Sequence, residues 1–235
     1  MINIALISPN ENAYSETFIQ QHKNHLKGNV VYYYKGKLPI KNNIEGEFGL
    51  SKLKRYRFKI KNKIIKGLFS IKEQALVNSF KNNKIQIVVA EFGQTGVSVL
   101  KICKFLNLPI IPIFHGYDAS VKEILESNKY NYKELIDYSS SVLAVSNKIK
   151  KTLIDLSDCN QDKIKVSPCS PNPNFINLNP CFLENNFVSV GRFVDKKAPY
   201  YTILAFSEVL KKYDNVHLKI VGEGYLLNTC KNLVN

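Results

Sequence analysis

"IQIVVAEFGQTGVSVLKICKFLNLPIIPIFHG" (Ile85–Gly116) decides the architecture. Ile85–Gly93 and Pro109–Gly116 read as strands, and Thr95–Leu106 between them reads as a helix. One strand, one helix and a second strand within about 30 residues make a βαβ unit, whose strands run parallel. The same rhythm extends in both directions. "INIALIS" (Ile2–Ser8) is a nearly continuous apolar run, the mark of a strand covered on both faces. A helix is expected from about Ser15 to Lys27, with Phe18, Ile19, His22 and Leu26 on one side. Strands follow at Asn29–Tyr34, Ser141–Ser146 and Lys163–Pro168, with helices at about Ser127–Tyr138 and Asn147–Leu156. The alternation predicts an α/β fold with a doubly wound parallel sheet and helices on both faces. Ligands of such sheets bind beyond the carboxyl ends of the strands, so the residues that follow each strand carry the interest.

"SPCSPNPNFINLNPCFLENN" (Ser167–Asn186) breaks the rhythm with prolines and asparagines and no period, as a linker does. The pattern then restarts: "FVSVG", a helix over Tyr200–Tyr213, "VHLKIVG", and a helix from about Gly224. The expected organisation is a domain over residues 1–169, a linker over 170–186 and a second, shorter domain over 187–235. Two strands and two helices supply little surface for a separate core, and their sheet edges are open to further pairing.

The 235 residues carry a net charge of +14, which favours polyanions such as nucleic acid, anionic lipid or phosphorylated small molecules. Much of that charge sits in "SKLKRYRFKIKNKIIK" (Ser51–Lys66), which holds Lys52, Lys54, Arg55, Arg57, Lys59, Lys61 and Lys63 and no acid. Leu53, Tyr56, Ile60, Ile64 and Leu68 form an apolar stripe at helical spacing. Such a helix suits an anionic membrane surface; the plainer alternative is a core-packing stripe with a solvated basic face. Nucleic acid has only charge in its favour, because no zinc-finger, homeodomain or RNA-recognition signature is present. The five cysteines (Cys103, Cys159, Cys169, Cys181, Cys230) show neither paired nor metal-ligand spacing and read as reduced thiols. "MINIALISPN" lacks a basic n-region and a small-residue cleavage site, so it does not read as a signal peptide. No apolar stretch approaches the roughly 20 residues that cross a bilayer.

The strand ends give a coherent set of candidates. Ser15 is a plausible helix cap whose exposed amides would suit an anion. Gly93 and Gly96 in "EFGQTG" allow close backbone approach to a ligand. His115, directly after "PIIPIF", can donate to a developing charge or hold a hydroxyl, and Asp118 follows three residues on, where it would equally serve as a turn or cap. Arg192 and Lys197 flank the next strand-to-helix turn; a guanidinium fork and a mobile ammonium can neutralise phosphate oxygens. The alternative for them is two surface cations in a chain rich in cations.

Several stretches together, in order and over nearly the whole chain, resemble the retaining GT-B glycosyltransferases of family four, the group-one transferases of bacterial exopolysaccharide and lipopolysaccharide synthesis: "SETFI", "AEFGQTG", "IPIFHGYDAS", "VLAVSNKIKKTL", "KIKVSPCSPNPNF", "VGRFVDKKAP" and "LKIVGEGYL". The resemblance implies two Rossmann-like domains, one complete and one represented by its first βαβ part. It implies transfer of a sugar from a nucleotide-sugar to a glycan or lipid-linked acceptor, in the cytoplasm at the inner membrane face. His115 would lie near the transferred sugar. Ser15, Glu16, Glu91, Gly93 and Asp118 would belong to the acceptor-side cleft loops, Arg192 and Lys197 would hold the donor diphosphate, and Gly222, Glu223 and Gly224 would lie beside the nucleotide. The two cations would replace a metal, so neither metal nor cofactor is expected. The chain departs from the family pattern at "SPNPNF", at Ala198 where glycine is common, and in lacking the pair of glutamates seven residues apart. The expectation is therefore a truncated transferase with little activity alone. A non-catalytic remnant, one subunit of a split enzyme joined by a chain carrying the other half, and a basic membrane- or nucleic-acid-binding module are the other readings.

Overall fold

The computed structural model describes residues 1–234 except 12, 14, 15, 50, 52–55, 57–68, 158–160, 172–174, 176–178 and 180–184. Ser15 and all seven basic residues expected at a membrane (Lys52, Lys54, Arg55, Arg57, Lys59, Lys61, Lys63) lie outside the described residues.

The chain forms two compact units, Met1–Pro173 and Asn174–Asn235. The strands of the first are β1 (Asn3–Ile7), β2 (Asn29–Tyr34), β3 (Lys41–Asn42), β4 (Gly46–Glu47), β5 (Ile87–Glu91), β6 (Ile110–Phe114), β7 (Val142–Ala144) and β8 (Ile164–Val166). They make one sheet in the order β4-β3-β2-β1-β5-β6-β7-β8. From β2 through β8 every pairing is parallel, with Ala5 opposite both Val31 and Val88. The chain leaves β1 toward β2 on one side and returns on the other through β5. The carboxyl ends of β1 and β5 therefore flank a topological switch point, where open α/β sheets hold ligands.

Alternation of side chains explains the continuous apolar runs. In β1, Ile4 and Leu6 enter one core with Ile19, Tyr32, Val89 and Ile113, while Ala5 and Ile7 enter another with Leu76, Phe80, Val88, Phe114 and Leu135. Helix α1 (Thr17–His25) covers the first face. The second is covered by α2 (Ile71–Asn82), α3 (Gly93–Leu106), α5 (Lys122–Tyr138) and α6 (Asn147–Ser157), with the short α4 (Gly116–Ser120) between strand β6 and α5. Fully burying each such side chain contributes roughly 1.5–3 kcal/mol.

One feature departs from a purely parallel expectation. Strands β3 and β4 form a small antiparallel hairpin on the β2 edge. Their side chains cannot specify it, since each strand is two residues long. Asn42 does so instead, its Oδ1 accepting the Ile44 and Glu45 amides at 2.9 and 2.6 Å while Nδ2 donates to Glu45 Oε2 at 2.6 Å. Glu45 also accepts hydrogen bonds from Ser79 and from Asn83, which tie the hairpin to α2. Helix α2 itself begins with a capping box: Glu73 N–H donates to Ser70 Oγ at 3.2 Å and Ser70 N–H to Glu73 Oε2 at 2.6 Å.

The second unit holds β9 (Asn186–Val190) and β10 (His217–Val221), parallel and in register from Asn186–His217 to Val190–Val221, with α7 (Pro199–Leu210) between them and α8 (Leu227–Val234) after them. Phe193, Pro199, Val216 and Cys230 are buried, but Phe187, Val188 and Val190 remain exposed, Val190 to 78%. One described helix, α5, reaches 17 residues, and no described helix is long and apolar enough to cross a membrane.

Candidate functional site

At the carboxyl end of β5 stands Glu91, with no solvent exposure. A carboxylate there needs donors, because an uncompensated buried charge costs several kcal/mol. Two histidines supply them. His22 Nδ1 lies 2.6 Å from Glu91 Oε1, and His115 Nε2 lies 3.0 Å from Oε2. Since an ionised carboxylate only accepts, both facing ring nitrogens carry hydrogen. Burial opposes the charge on Glu91, but the hydrogen bonds from His115 and His22 outweigh it and hold the carboxyl below its ordinary range. The same bond raises the His22 imidazole above its ordinary value, against the opposing effect of burial. His22 thus serves as the counter-cation of a buried carboxylate.

The two imidazoles differ in access. His115 has a side-chain exposure of 7% and His22 of 32%. His115 is packed by two rings: Phe18 at 4.4 Å between centroids and Phe92 at 4.9 Å. Phe92 occupies the β5–α3 turn with φ 73°, a left-handed conformation that a bulky residue adopts only at an energetic cost of about 1–3 kcal/mol.

Asp118 joins the two neighbouring strand ends. Its Oδ2 accepts the Gly93 amide at 2.5 Å and its Oδ1 the His115 amide at 2.8 Å, so the β5–α3 and β6–α4 turns share one buried carboxyl. Burial pushes Asp118 up to about 6, against the Gly93 hydrogen bond and the nearby His115. Gly93 has no room for a side chain: a Cβ would lie 2.1 Å from Cε1 of Phe114. Glu16 takes the N-cap position of α1, and its Oε1 accepts from Asn10 Nδ2 at 2.9 Å.

Beyond this cluster, α1 and the segment after β8 wall a cleft of about 360 Å³. His22, Phe18, Gln21 and His25 line it from the helix, and Cys169 and Ser170 from the opposite wall. The structure brings together Gly93, His115 and Asp118, the strand-end candidates, with Glu91, which only the family resemblance names, and adds His22. Sequence reasoning places His22 on one side of α1 with Phe18, Ile19 and Leu26, without giving it a role. An imidazole on an apolar helix face is the available signal, but its partner lies 69 residues away. Among the described residues no group of three or more His, Cys, Asp and Glu is arranged to hold a metal ion.

In the second unit the two expected donor-side elements meet. The Gly191 amide donates to Val221 O at 3.0 Å, Phe193 N–H to Glu223 O at 2.8 Å and Leu226 N–H to Phe193 O at 3.0 Å. The Gly222–Gly224 turn is thus laced to the turn that carries Arg192. Both glycines have positive φ (153° and 151°), and a Cβ on Gly222 would sit 1.9 Å from Gly191 O. Arg192 and Lys197 are exposed, Lys197 at the end of a short turn of 3-10 helix (Asp195–Lys197) that leads into α7. Tyr225 donates to Asp195 and accepts its amide, which fixes that turn to the segment after Gly224. Ala198 stands at the N-cap of α7 in the left-handed region, φ 45°.

With this geometry in view, comparison with known proteins is direct. Solved structures superimpose on the chain: HepE of Anabaena, crystallised with UDP, matches 99% of it with a TM-score of 0.69 at 13% identity. The fold is that of the GT-B glycosyltransferases. Among curated proteins, an uncharacterized glycosyltransferase of Methanocaldococcus jannaschii is 24% identical over 225 residues, 82% of this chain and 53% of the relative. The Escherichia coli glycosyltransferase WcaL, named for colanic acid biosynthesis, is 26% identical over 181 residues, 73% of this chain and 42% of the relative. No family model matches. The chain spans about half the length of the curated relatives it matches and 64% of HepE. Met1–Pro173 carries the eight-stranded sheet with its helices, and Asn174–Asn235 carries a βαβ unit followed by a helix.

Proposed function

We propose that the chain forms the acceptor-side domain and the leading part of the donor domain of a retaining glycosyltransferase, which moves a sugar from a nucleotide-sugar to a glycan or lipid-linked acceptor in cell-surface polysaccharide synthesis. The observation that carries this reading is the lacing of the Arg192 turn to the Gly222–Gly224 turn at the carboxyl ends of β9 and β10, in a chain similar to glycosyltransferases over most of its length. Two exposed cations beside the laced turns suit a diphosphate. As the glycosidic bond to the donor breaks, negative charge gathers on the leaving diphosphate. Arg192 can fork onto its oxygens and Lys197 can follow as a mobile point charge, which lowers the barrier without a metal ion. On the acceptor side, His115 and Asp118 hold the turns after β5 and β6 in place, and the receiving hydroxyl would lie beside those turns.

Phe187, Val188 and Val190, all exposed on β9, favour a donor domain completed by further strands, whether from a longer form of this polypeptide or from a second chain. The chain alone is therefore expected to bind donor more readily than to turn it over. The basic Ser51–Lys66 segment would hold the assembly at an anionic membrane surface.

The test is calorimetric titration of the 235-residue chain with nucleoside diphosphates and their sugar conjugates. At least one is expected to bind. Arg192→Ala and Lys197→Ala should each weaken it by about tenfold to a hundredfold, the loss of one charge-assisted hydrogen bond of roughly 1.5–3 kcal/mol. Binding that survives both substitutions together would refute the assignment of these residues.

A further inference from the structure

We propose that His22 is a ligand-contacting residue, and that the cleft it lines between α1 and the Ser167–Pro171 segment is a subsite for an uncharged polyhydroxylated ligand of the carbohydrate class. The proposal rests on the transferase reading for its place in a reaction, but not for its geometry. His22 Nδ1 is engaged by Glu91 at 2.6 Å. Its remaining polar atom is Nε2, on a side chain that is 32% exposed and lines the cleft. A buried carboxylate on Nδ1 fixes the ring orientation and leaves Nε2 as the working edge. His115 has the opposite arrangement, with Nε2 consumed by Glu91 and the ring enclosed by Phe18 and Phe92. Of the two histidines that share Glu91, His22 is the one placed to meet a ligand.

The lining decides the ligand class. The chain has 33 lysines and arginines, yet none is among the described residues of this cleft. A phosphate subsite would be expected to use them. The walls instead combine the Phe18 ring with Gln21, His25, Ser167 and Ser170. Apolar faces beside hydroxyl, amide and imidazole groups match the alternating C–H faces and hydroxyls of a sugar. Nε2 can donate to a hydroxyl oxygen when His22 is protonated and accept a hydroxyl hydrogen when it is neutral, so it serves a polyol in either state.

The experiment uses the full chain labelled with 15N-histidine, with the ring nitrogens followed by long-range 1H–15N correlation. Glucose, galactose, mannose and N-acetylglucosamine are the probes, and inorganic phosphate is the control. At least one sugar should shift His22 Nε2 saturably in the millimolar range, by more than it shifts His25, while phosphate leaves it in place. His22→Gln should weaken that binding about tenfold, as expected for loss of one hydrogen bond to a neutral ligand. Glu91→Gln should move the His22 Nδ1 signal and also weaken binding. The inference is overturned if every sugar leaves the His22 ring unmoved, if phosphate shifts it instead, or if sugar binding survives His22→Gln at full strength. Should His22→Gln fail to fold, the ring shifts of the unmodified chain decide alone. A silent His22 with intact nucleotide binding sinks this inference and spares the transferase reading. A sugar shift at His22 without nucleotide binding does the reverse.

Discussion

Replacing Glu91 by glutamine keeps the shape of the side chain and removes its charge. In the parent chain both carboxylate oxygens are used, at 2.6 Å by His22 and at 3.0 Å by His115, with Glu91 wholly buried. A glutamine oxygen can accept from only one of them, and its amide then faces the N–H of the other. Two charge-assisted bonds of roughly 1.5–3 kcal/mol are affected. His22 is partly exposed and can shed its proton, which limits the loss to about 2–4 kcal/mol. For a chain of this size that corresponds to a fall in Tm of roughly 5–15 °C. The pH dependence is the more telling part. The His22 imidazole is raised from 6.5, so its contribution is fully present below that pH and is lost as pH rises through the folded value. Glu91 is lowered from 4.5, so its contribution is present above that pH and is lost as pH falls through the folded value. The stability difference between the two proteins should therefore be largest between pH 4.5 and 6.5 and shrink on both sides. Asp118, which burial pushes up to about 6, is present in both proteins and cancels to first order. Thermal unfolding followed by circular dichroism across this range measures the difference. A penalty below about 1 kcal/mol, or one that does not vary with pH, would refute the shared-carboxylate account.

Gly93→Ala drives a methyl into Phe114, and the overpacking should destabilise by about 1–3 kcal/mol or more. Adding Phe114→Leu should recover part of it, and a thermal double-mutant cycle with no coupling would contradict the contact. Ala198→Gly relieves a left-handed alanine and should stabilise the second unit by about 0.5–1 kcal/mol, read as slower amide exchange in α7; faster exchange would count against it. Changing Lys54, Arg55, Arg57 and Lys59 together to glutamine should weaken binding to anionic liposomes by roughly 1 kcal/mol per charge or less. Unchanged sedimentation with the vesicles would reject the membrane role.

Much of this fold is legible in apolar runs. Residues such as Ile4 to Ile7 alternate between two cores, so the strand must be apolar throughout, and that signal survives without knowledge of its neighbours. The start of α2 is equally local: Ser70 and Glu73 form a capping box that any reader of "SIKE" can find, although the surrounding rhythm draws attention to the basic stretch before it. The β3–β4 hairpin is not legible, because strands of two residues have no period and the Asn42–Glu45–Ser79 network that holds them spans three elements. His115 is visible by its position directly after a strand, and Asp118 by its place three residues on. His22 is seen as a member of a helix face, but its function depends on Glu91, and only the folded sheet brings the end of β5 beneath α1. On the donor side, Arg192, Lys197 and the Gly222–Gly224 turn are each visible as short motifs. Their lacing through Gly191, Phe193 and Glu223 is a property of parallel register.

The central claim is that the second unit grips a nucleotide-sugar diphosphate through the turns after β9 and β10. Amide hydrogen–deuterium exchange of the chain, with and without saturating UDP-sugars and the corresponding conjugates of other bases, tests it most directly. Protection concentrated in Gly191–Ala198 and Val221–Leu226, and abolished by Arg192→Ala with Lys197→Ala, is the predicted result. Exchange unchanged by every nucleotide-sugar, or protection confined to other segments, would contradict it.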